Sequence, residues 1–446
     1  MLRAGVVAFC LTLGACATAA PTPINVAATE PVDIPELQTG GERDILMVAL
    51  SGGGARAAAF GLGVLQQAHE TRAADGKPLT DHFALITSVS GGSILAAYYG
   101  LNGADRLQHF RAAYLDKDWE ADLHMSPASP LNWRRAVNGG LNGPDRLADW
   151  LDAEVFDGAR MAPISPYIWL NATDLYNGAP FTFTQLYFNA VCSDLTQVRV
   201  ADAVAASMAF PVVFEPVLIE PRNEHCAPLP AWTTQALSDR RYSERARVTA
   251  RAFESYRDPA QLRYLHLSDG GVLDNLGLSA LTLVRDVAAA PNEPFSVRDA
   301  VRLRRLTMIV VNAENTLEAD WQNDARGPSG RQTAEALLDL YISDGNRAAY
   351  DNFRAALAAW QTELIAWRCA LPDAETMTGD LPGWRCDDVT LDAGMISFRD
   401  FDDARRAELG AVPTRVNLPA ETVDMLIQAG RDGLAGNEAG AAFVAP

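Results

Sequence analysis

The chain has 446 residues, 48% of them apolar and 21% charged, and its 37 Lys and Arg against 56 Asp and Glu give a net charge of −19. Those proportions are globular and exclude a disordered chain, a collagen or a coiled-coil rod. The acidity excludes nucleic acid as a partner, and it excludes attachment to an anionic membrane by charge alone, because both need clustered cations.

The chain opens MLRAGVVAFCLTLGAC, with Arg3 followed by an apolar stretch from Ala4 to Gly14. That stretch is too short for a hydrocarbon core of ~30 Å and has the length of a signal-peptide core. Leu13-Gly14-Ala15-Cys16 resembles the bacterial lipobox. The resemblance implies cleavage before Cys16, diacylglycerol on its thiol and acylation of the new amine, and two or more acyl chains anchor a protein stably. An ordinary secretory signal cut at Ala15-Cys16-Ala17 is the alternative. Ala17 stands where an inner-membrane retention signal has Asp, which points to the outer membrane of the cell envelope. The expected organisation is a signal peptide over 1–15, a tether over 16–43, a catalytic domain over 44–430 (core 44–312, extension 313–430) and a flexible tail over 431–446. An even set of remaining cysteines, Cys192, Cys226, Cys369 and Cys386, suggests two disulfides in an exported protein. Pairing Cys192 with Cys226 and Cys369 with Cys386 closes the shortest loops. A zinc site is the rival, weakened by the lack of any CxxC pair and by His225 being the only adjacent histidine.

Ile45 to Leu50 is a continuous apolar run, as in a parallel strand buried on both faces. A Gly-rich turn and a helical Ala57–Ala68 follow, then a strand over Phe83–Thr87 and a helix from Gly91. Tyr167–Asn171, Arg263–Leu267, Leu306–Asn312 and Met395–Arg399 are further strand candidates, and Arg331–Trp367 reads as one or two long helices. Arg222–Pro259 is polar and Arg-rich and reads as a surface insertion. The alternation predicts one α/β domain, a mostly parallel sheet with helices on both faces and helical insertions.

Three glycine-flanked loops carry the chemistry. Ser51-Gly52-Gly53-Gly54-Ala55-Arg56 joins a strand to a helix, where consecutive backbone N–H groups can hold an anion or an oxyanion. It lacks the Gly-Lys-Ser/Thr of a nucleotide P-loop. Thr87-Ser88-Val89-Ser90-Gly91-Gly92 has the setting of a nucleophile elbow, with Ser90 central and Ser88 and Ser93 as rivals. A serine needs a base, and of six histidines none follows Asp269 in the chain. His225 and His266 precede it and remain possible bases. The third loop, Ser268-Asp269-Gly270-Gly271-Val272-Leu273-Asp274-Asn275, ends an apolar strand with a carboxylate that can take the serine proton directly.

This ordered set of GGGxR, an elbow like Gly-x-Ser-x-Gly, and Asp-Gly-Gly resembles the patatin-like phospholipase family. Ala206 to Pro216 and Asn171 to Phe181 resemble further stretches of it. Ser88 stands where the family pattern has Gly, and so does Ala57. The resemblance implies a three-layer α/β/α fold and a Ser–Asp dyad without a metal or other cofactor. Ser90 is then the nucleophile and Asp269 the base. Gly52, Gly53, Gly54 and the basic position Arg56 form the oxyanion loop. The implied activity is hydrolysis of carboxylic esters in phospholipids or other lipids. A non-catalytic envelope lipoprotein that binds lipid or a partner, and a serine esterase acting on soluble esters, are the alternatives.

Overall fold

The apolar run at residues 45–50 lies within strand β1 (Asp44–Leu50), and its composition follows from having a helical layer on each face. The computed structural model describes residues 22–34, 37, 39, 41–123, 140–142, 144–161, 166–315, 320–372, 377–379 and 381–444. Leu46, Val48 and Leu50 join one hydrophobic core, and Ile45, Met47 and Ala49 the other. After β1 come helix α1 (Gly54–Glu70), β2 (Phe83–Val89), α2 (Gly91–Asn102), β3 (Tyr167–Asp174), β4 (Ala179–Thr182) and α3 (Val200–Ser207). Then follow β5 (Val217–Ile219), α4 (Ala231–Ser238), α5 (Glu244–Tyr256), β6 (Leu265–Asp269), α6 (Ser279–Asp286) and β7 (Arg305–Asn312). The C-terminal part adds α7 (Gly330–Ala370), β8 (Thr390–Ser397), α8 (Ala420–Ala435) and α9 (Glu438–Val444).

The main sheet has the order β8-β7-β1-β2-β3-β6-β5, with β4 paired to β3. Pairing is parallel from β8 to β3 and antiparallel for β3–β6, β6–β5 and β3–β4. Residues of α1, α2 and α8 share one core with one strand face, while α6 and the middle of α7 (Phe353, Leu357, Trp360) cover the other. This is the expected three-layer α/β/α sandwich. The antiparallel edge was not readable from the sequence, because β4 and β5 are only four and three residues long.

Three boundaries differ from expectation. Residues 431–444 are not a loose tail, because the end of α8 and all of α9 are helical and bury Leu434 and Phe443. Part of the 16–43 tether is packed: Ile24 N–H donates to the Leu218 carbonyl at 3.0 Å, and the buried Asn25 amide bonds Ser193 Oγ at 2.7 Å. The segment 222–259 is not simply a surface insertion. Its helices α4 and α5 bury Trp232, Phe253 and Tyr256, and Phe253 meets the Tyr187 ring edge-on at 5.1 Å. Its arginines are partly structural too: the half-buried Arg257 donates to the Asn189, Ala190 and Ala227 carbonyls. The signal peptide and Cys16 lie outside the described residues. Among those residues no helix is long and apolar enough to cross a membrane.

Helices α1 and α8 touch through backbone. A Cβ at Gly63 would meet the Ile427 carbonyl oxygen at 1.9 Å, and one at Gly430 would meet that of Phe60 at 2.0 Å. Gly→Ala within a helix gains up to about 1 kcal/mol of intrinsic propensity. Here the backbone neighbour cannot rotate away, so overpacking of about 1–3 kcal/mol outweighs that gain. Gly63→Ala should therefore lower the melting temperature followed by circular dichroism. An unchanged or higher value would contradict the close helix contact.

Candidate active site

Ser90 sits between the end of β2 and the start of α2, at φ 51° and ψ −122°. Positive φ is uncommon for a residue with a Cβ and stores strain unless the surroundings hold it. The neighbours do hold it. Ser90 N–H donates to Ser207 Oγ at 2.9 Å, and Ser207 Oγ–H donates to the Asn171 carbonyl at 2.6 Å. A Cβ on Gly91 would lie 2.0 Å from the Gly54 carbonyl oxygen, so only glycine lets α2 start against the first loop.

The rival serines lie beneath the elbow. Ser88 and Ser93 are fully buried, whereas Ser90 keeps partial exposure. The Ser88 hydroxyl donates to the Trp169 carbonyl at 3.3 Å and accepts from Ser93 Oγ at 3.1 Å. Ser93 also lies 2.9 Å from Ser207 Oγ. The hydroxyl at position 88, where the family pattern has Gly, thus occupies an internal polar network.

Asp269 ends β6, and the antiparallel register sets it opposite Ala172, one residue past the Val89–Asn171 pair. Its backbone is held on both sides: its N–H donates to the Ala209 carbonyl at 2.9 Å, and its carbonyl accepts from Thr173 Oγ1 at 2.9 Å. Its carboxylate accepts the Gly271 N–H at 2.7 Å and stands beside the Ser90 hydroxyl, which helps to stabilise its charge. Only 3% of Asp269 is exposed. Burial pushes its carboxyl up to about 6 against the lowering effect of those two neighbours. The histidines weighed as bases lie elsewhere. His225 is exposed on a loop, and His266 is exposed three residues before Asp269, on the opposite face of β6.

The first loop divides into residues that face the elbow and residues that brace it. Gly53 is the N-cap of α1 and Gly54 its first residue, and among the described residues neither N–H has a hydrogen-bond partner. The other two expected members of the oxyanion loop are engaged. Gly52 N–H donates to the Asn275 carbonyl at 3.0 Å. The Arg56 side chain is buried and bonds the Ala313 and Val412 carbonyls at 2.8 and 2.7 Å, and Asn315 Oδ1. Nε and Nη1 are thus engaged away from the elbow, whereas Nη2 lies 3.1 Å from where a Cβ on Gly53 would be. Asn275 is the residue that sequence reasoning passed over. A Cβ on Gly52 would lie 2.4 Å from Asn275 Oδ1 and 3.3 Å from Ser90 Cβ, so the Asn275 side chain sits where the first and third loops meet. Its place in the third loop, six residues after the carboxylate, was the available signal.

These four cysteines form two disulfides, Cys192–Cys226 and Cys369–Cys386. Among the described residues one group has metal-ligand spacing, Glu42, Asp75 and His82. The Lys77 ammonium holds its carboxylates, at 2.6 Å from Glu42 and 3.6 Å from Asp75, and the group lies at the opposite end of β1 from Ser51. Beside the third loop a cavity of about 180 Å³ lies between Gly271, Leu273 and Asn275 on one side and Tyr341–Asn346 of α7 on the other.

No curated protein matches the chain in sequence. Human GIVD cytosolic phospholipase A2 aligns at 13% identity with a TM-score of 0.41, over 91% of this chain and 60% of that one. VipD from Legionella pneumophila aligns at 13% identity with a TM-score of 0.30, over 95% of this chain and 71% of that one. The aligned part is thus less than two thirds of the human protein's length. The family described as Patatin-like phospholipase matches residues 48–282. That match spans over half of the chain and encloses each of the three loops that meet around Ser90, so the protein belongs to the patatin-like phospholipase family.

Proposed function

We propose that the protein hydrolyses carboxylic esters of lipids through a Ser90–Asp269 dyad and an acyl-enzyme. The observation that carries the reading is a buried carboxylate, raised to about 6, beside the hydroxyl of a serine held at positive φ between a strand and a helix. Ser90 Oγ attacks the ester carbonyl carbon while its proton passes to Asp269. The oxyanion that forms meets the N–H groups of Gly53 and Gly54 at the positive end of α1. Collapse breaks the acyl–oxygen bond, and the departing alcohol takes the proton from Asp269. Water, deprotonated by the same carboxylate, then attacks the acyl-Ser90 ester; the acyl–Oγ bond breaks, Asp269 returns the proton to Ser90 Oγ, and the fatty acid leaves. Ser90→Ala should lower kcat by several orders of magnitude in a protein with unchanged circular dichroism. Near-normal turnover in that variant would remove Ser90 from the mechanism.

The base must be ionised to act, so kcat/KM should rise with pH through about 6 and then level off. The same shift has a stability consequence. A carboxyl raised from 3.8 to about 6 is most favourable to folding when protonated, and that stability is lost as pH rises across this window. Asp269→Asn keeps the shape without the buried charge. It should abolish turnover and yet be more stable than the parent by up to about 3 kcal/mol at neutral pH, with the difference gone below about pH 4. His225→Ala and His266→Gln should keep most activity. Chemical denaturation across pH, together with pH–rate profiles, checks all of these. An active Asp269→Asn enzyme beside an inactive histidine variant would refute the dyad.

The surroundings favour a lipid over a soluble ester. Leu273 is 38% exposed at the cavity, and α7 carries Leu337, Leu340 and Tyr341 at 62%, 56% and 58% exposure. The three α7 residues recur at helical spacing, and Tyr341 lines the cavity beside the Asp269 loop. Such an apolar ridge fits the face of a lipid aggregate. Leu337→Ser with Leu340→Ser should reduce turnover of phospholipid vesicles at least about fivefold while a short soluble ester is hydrolysed as before. An equal loss on both substrates would contradict the ridge as a lipid contact.

We infer further that the protein is exported and held at the cell envelope through lipid on Cys16. Two disulfides and the lipobox-like Leu13-Gly14-Ala15-Cys16 support that reading. Mass analysis of the native N-terminal peptide should find a diacylated Cys16 as the first residue, and Cys16→Ser should release the protein from membranes. A lipid-free N-terminus beyond residue 16 would contradict it.

A further inference from the structure

Resting on the proposed Ser90 chemistry, we infer that Arg56 is a positioning residue, clamped by the C-terminal extension to fix the oxyanion loop, and that it does not meet the substrate. The side chain leaves the first turn of α1 and is 3% exposed. Its Nε donates to the Ala313 carbonyl at 2.8 Å, just past the end of β7. One terminal nitrogen donates to the Val412 carbonyl at 2.7 Å and to Asn315 Oδ1. Burial lowers the guanidinium to about 10, with Asp339 and Glu314 opposing, so it stays charged at neutral pH. A buried cation of this kind persists only where its donors are matched; here Nε and Nη1 are matched by groups on two separate segments, and Nη2 lies against Gly53 of the loop.

The backbone repeats the arrangement. Ala55 N–H donates to the Arg415 carbonyl at 2.8 Å, and a Cβ on Gly54 would lie 2.3 Å from the same oxygen. Residues 412–417 are themselves anchored, since Val412 is buried and Trp119 Nε1 donates to the Val416 carbonyl at 3.0 Å. Ser51, at the start of the loop, is tied to the same strand end: its N–H donates to the Val311 carbonyl at 3.0 Å, and its Oγ accepts the Ala313 N–H at 3.0 Å. Every group that grips Ser51, Ala55 and Arg56 in this way lies outside the family match at 48–282. The extension thus completes the site. It sets where the Gly53 and Gly54 N–H groups point, and one such donor is worth about 10²–10³ in kcat.

The rival role for a buried-loop arginine is to bind the phosphate of a lipid headgroup, and kinetics on two substrates separate the roles. Arg56→Lys, Arg56→Met and Asn315→Ala would be assayed on phosphatidylglycerol vesicles and on uncharged p-nitrophenyl butyrate. Hydrogen exchange over residues 52–58 would be followed in the same proteins. We expect Arg56→Lys and Arg56→Met to lower kcat by at least about tenfold on both substrates with KM within about twofold, and exchange at Ala55 to accelerate. Lysine should not rescue, because a single ammonium cannot span the separated carbonyls that the planar fork reaches. Asn315→Ala, which removes one acceptor, should show a smaller loss of kcat, equal on both substrates. Full activity in Arg56→Lys, or a loss confined to KM on the phospholipid, would overturn the clamp. If Arg56→Met does not fold, Asn315→Ala with its exchange profile decides, and unchanged exchange there also overturns it. The exchange measurement reads the clamp even if Ser90 proves not to be the nucleophile, so the two proposals fail separately.

Discussion

Asp269 reaches Ser90 because one strand runs backwards. The four parallel pairings from β8 to β3 place the ends of β7, β1, β2 and β3 at one edge of the sheet, which is where ligands meet open α/β sheets. β6 then pairs with β3 in the opposite direction, with Asp269 opposite Ala172. Because β6 is antiparallel, its C-terminal end lies where β3 turns from its pairing with β2 to its pairing with β6, and the carboxylate arrives at the level of the elbow. Ala209 and Thr173 hold the Asp269 backbone there. A slip of one residue would turn the carboxylate to the other face of the sheet and leave Ser90 without a partner.

The consequence is electrostatic. A carboxylate placed at the end of a strand in this sheet has helices above and below it and little water beside it. Desolvation therefore outweighs the stabilising Gly271 N–H and Ser90 hydroxyl and lifts its pKa toward neutrality. That places the group where a general base is most useful. It also makes the folded state carry an unfavourable charge at neutral pH. Asp174 is also buried and its carboxyl is also raised, but Tyr256 and Asn177 occupy it and it faces the turn after β3. The contrast shows that burial alone does not mark a base. What sets Asp269 apart is the Ser90 hydroxyl beside it, on an elbow at positive φ.

Much of this was legible in the residues. Apolar runs without alternation marked β1, β2 and β7 as strands covered on both faces, and glycine-flanked turns after strands marked the three loops. What the sequence did not show was long-range. β4 and β5 are too short to carry a pattern, so the antiparallel edge that delivers Asp269 could not be read. The Arg56 guanidinium has acceptors at 313, 315 and 412, and nothing local reveals a contact across more than 250 residues. Asn275 lies within the third glycine-flanked loop, but its meeting with Gly52 exists only once the loops converge. Residues 431–444, the end of α8 and all of α9, do not announce a packed helix because their Ala- and Gly-rich composition suits a linker as well as it suits close packing.

The most direct test of the central claim is to find which atom a substrate-like electrophile modifies. A long-chain alkyl fluorophosphonate reacts with an activated serine oxygen by displacing fluoride. Peptide mass spectrometry after such treatment should place one phosphonyl group on Ser90, and Asp269→Asn should remove the labelling while Arg56→Lys slows it. Labelling of Ser88 or Ser93, or full ester turnover with Ser90 unmodified, would contradict the account.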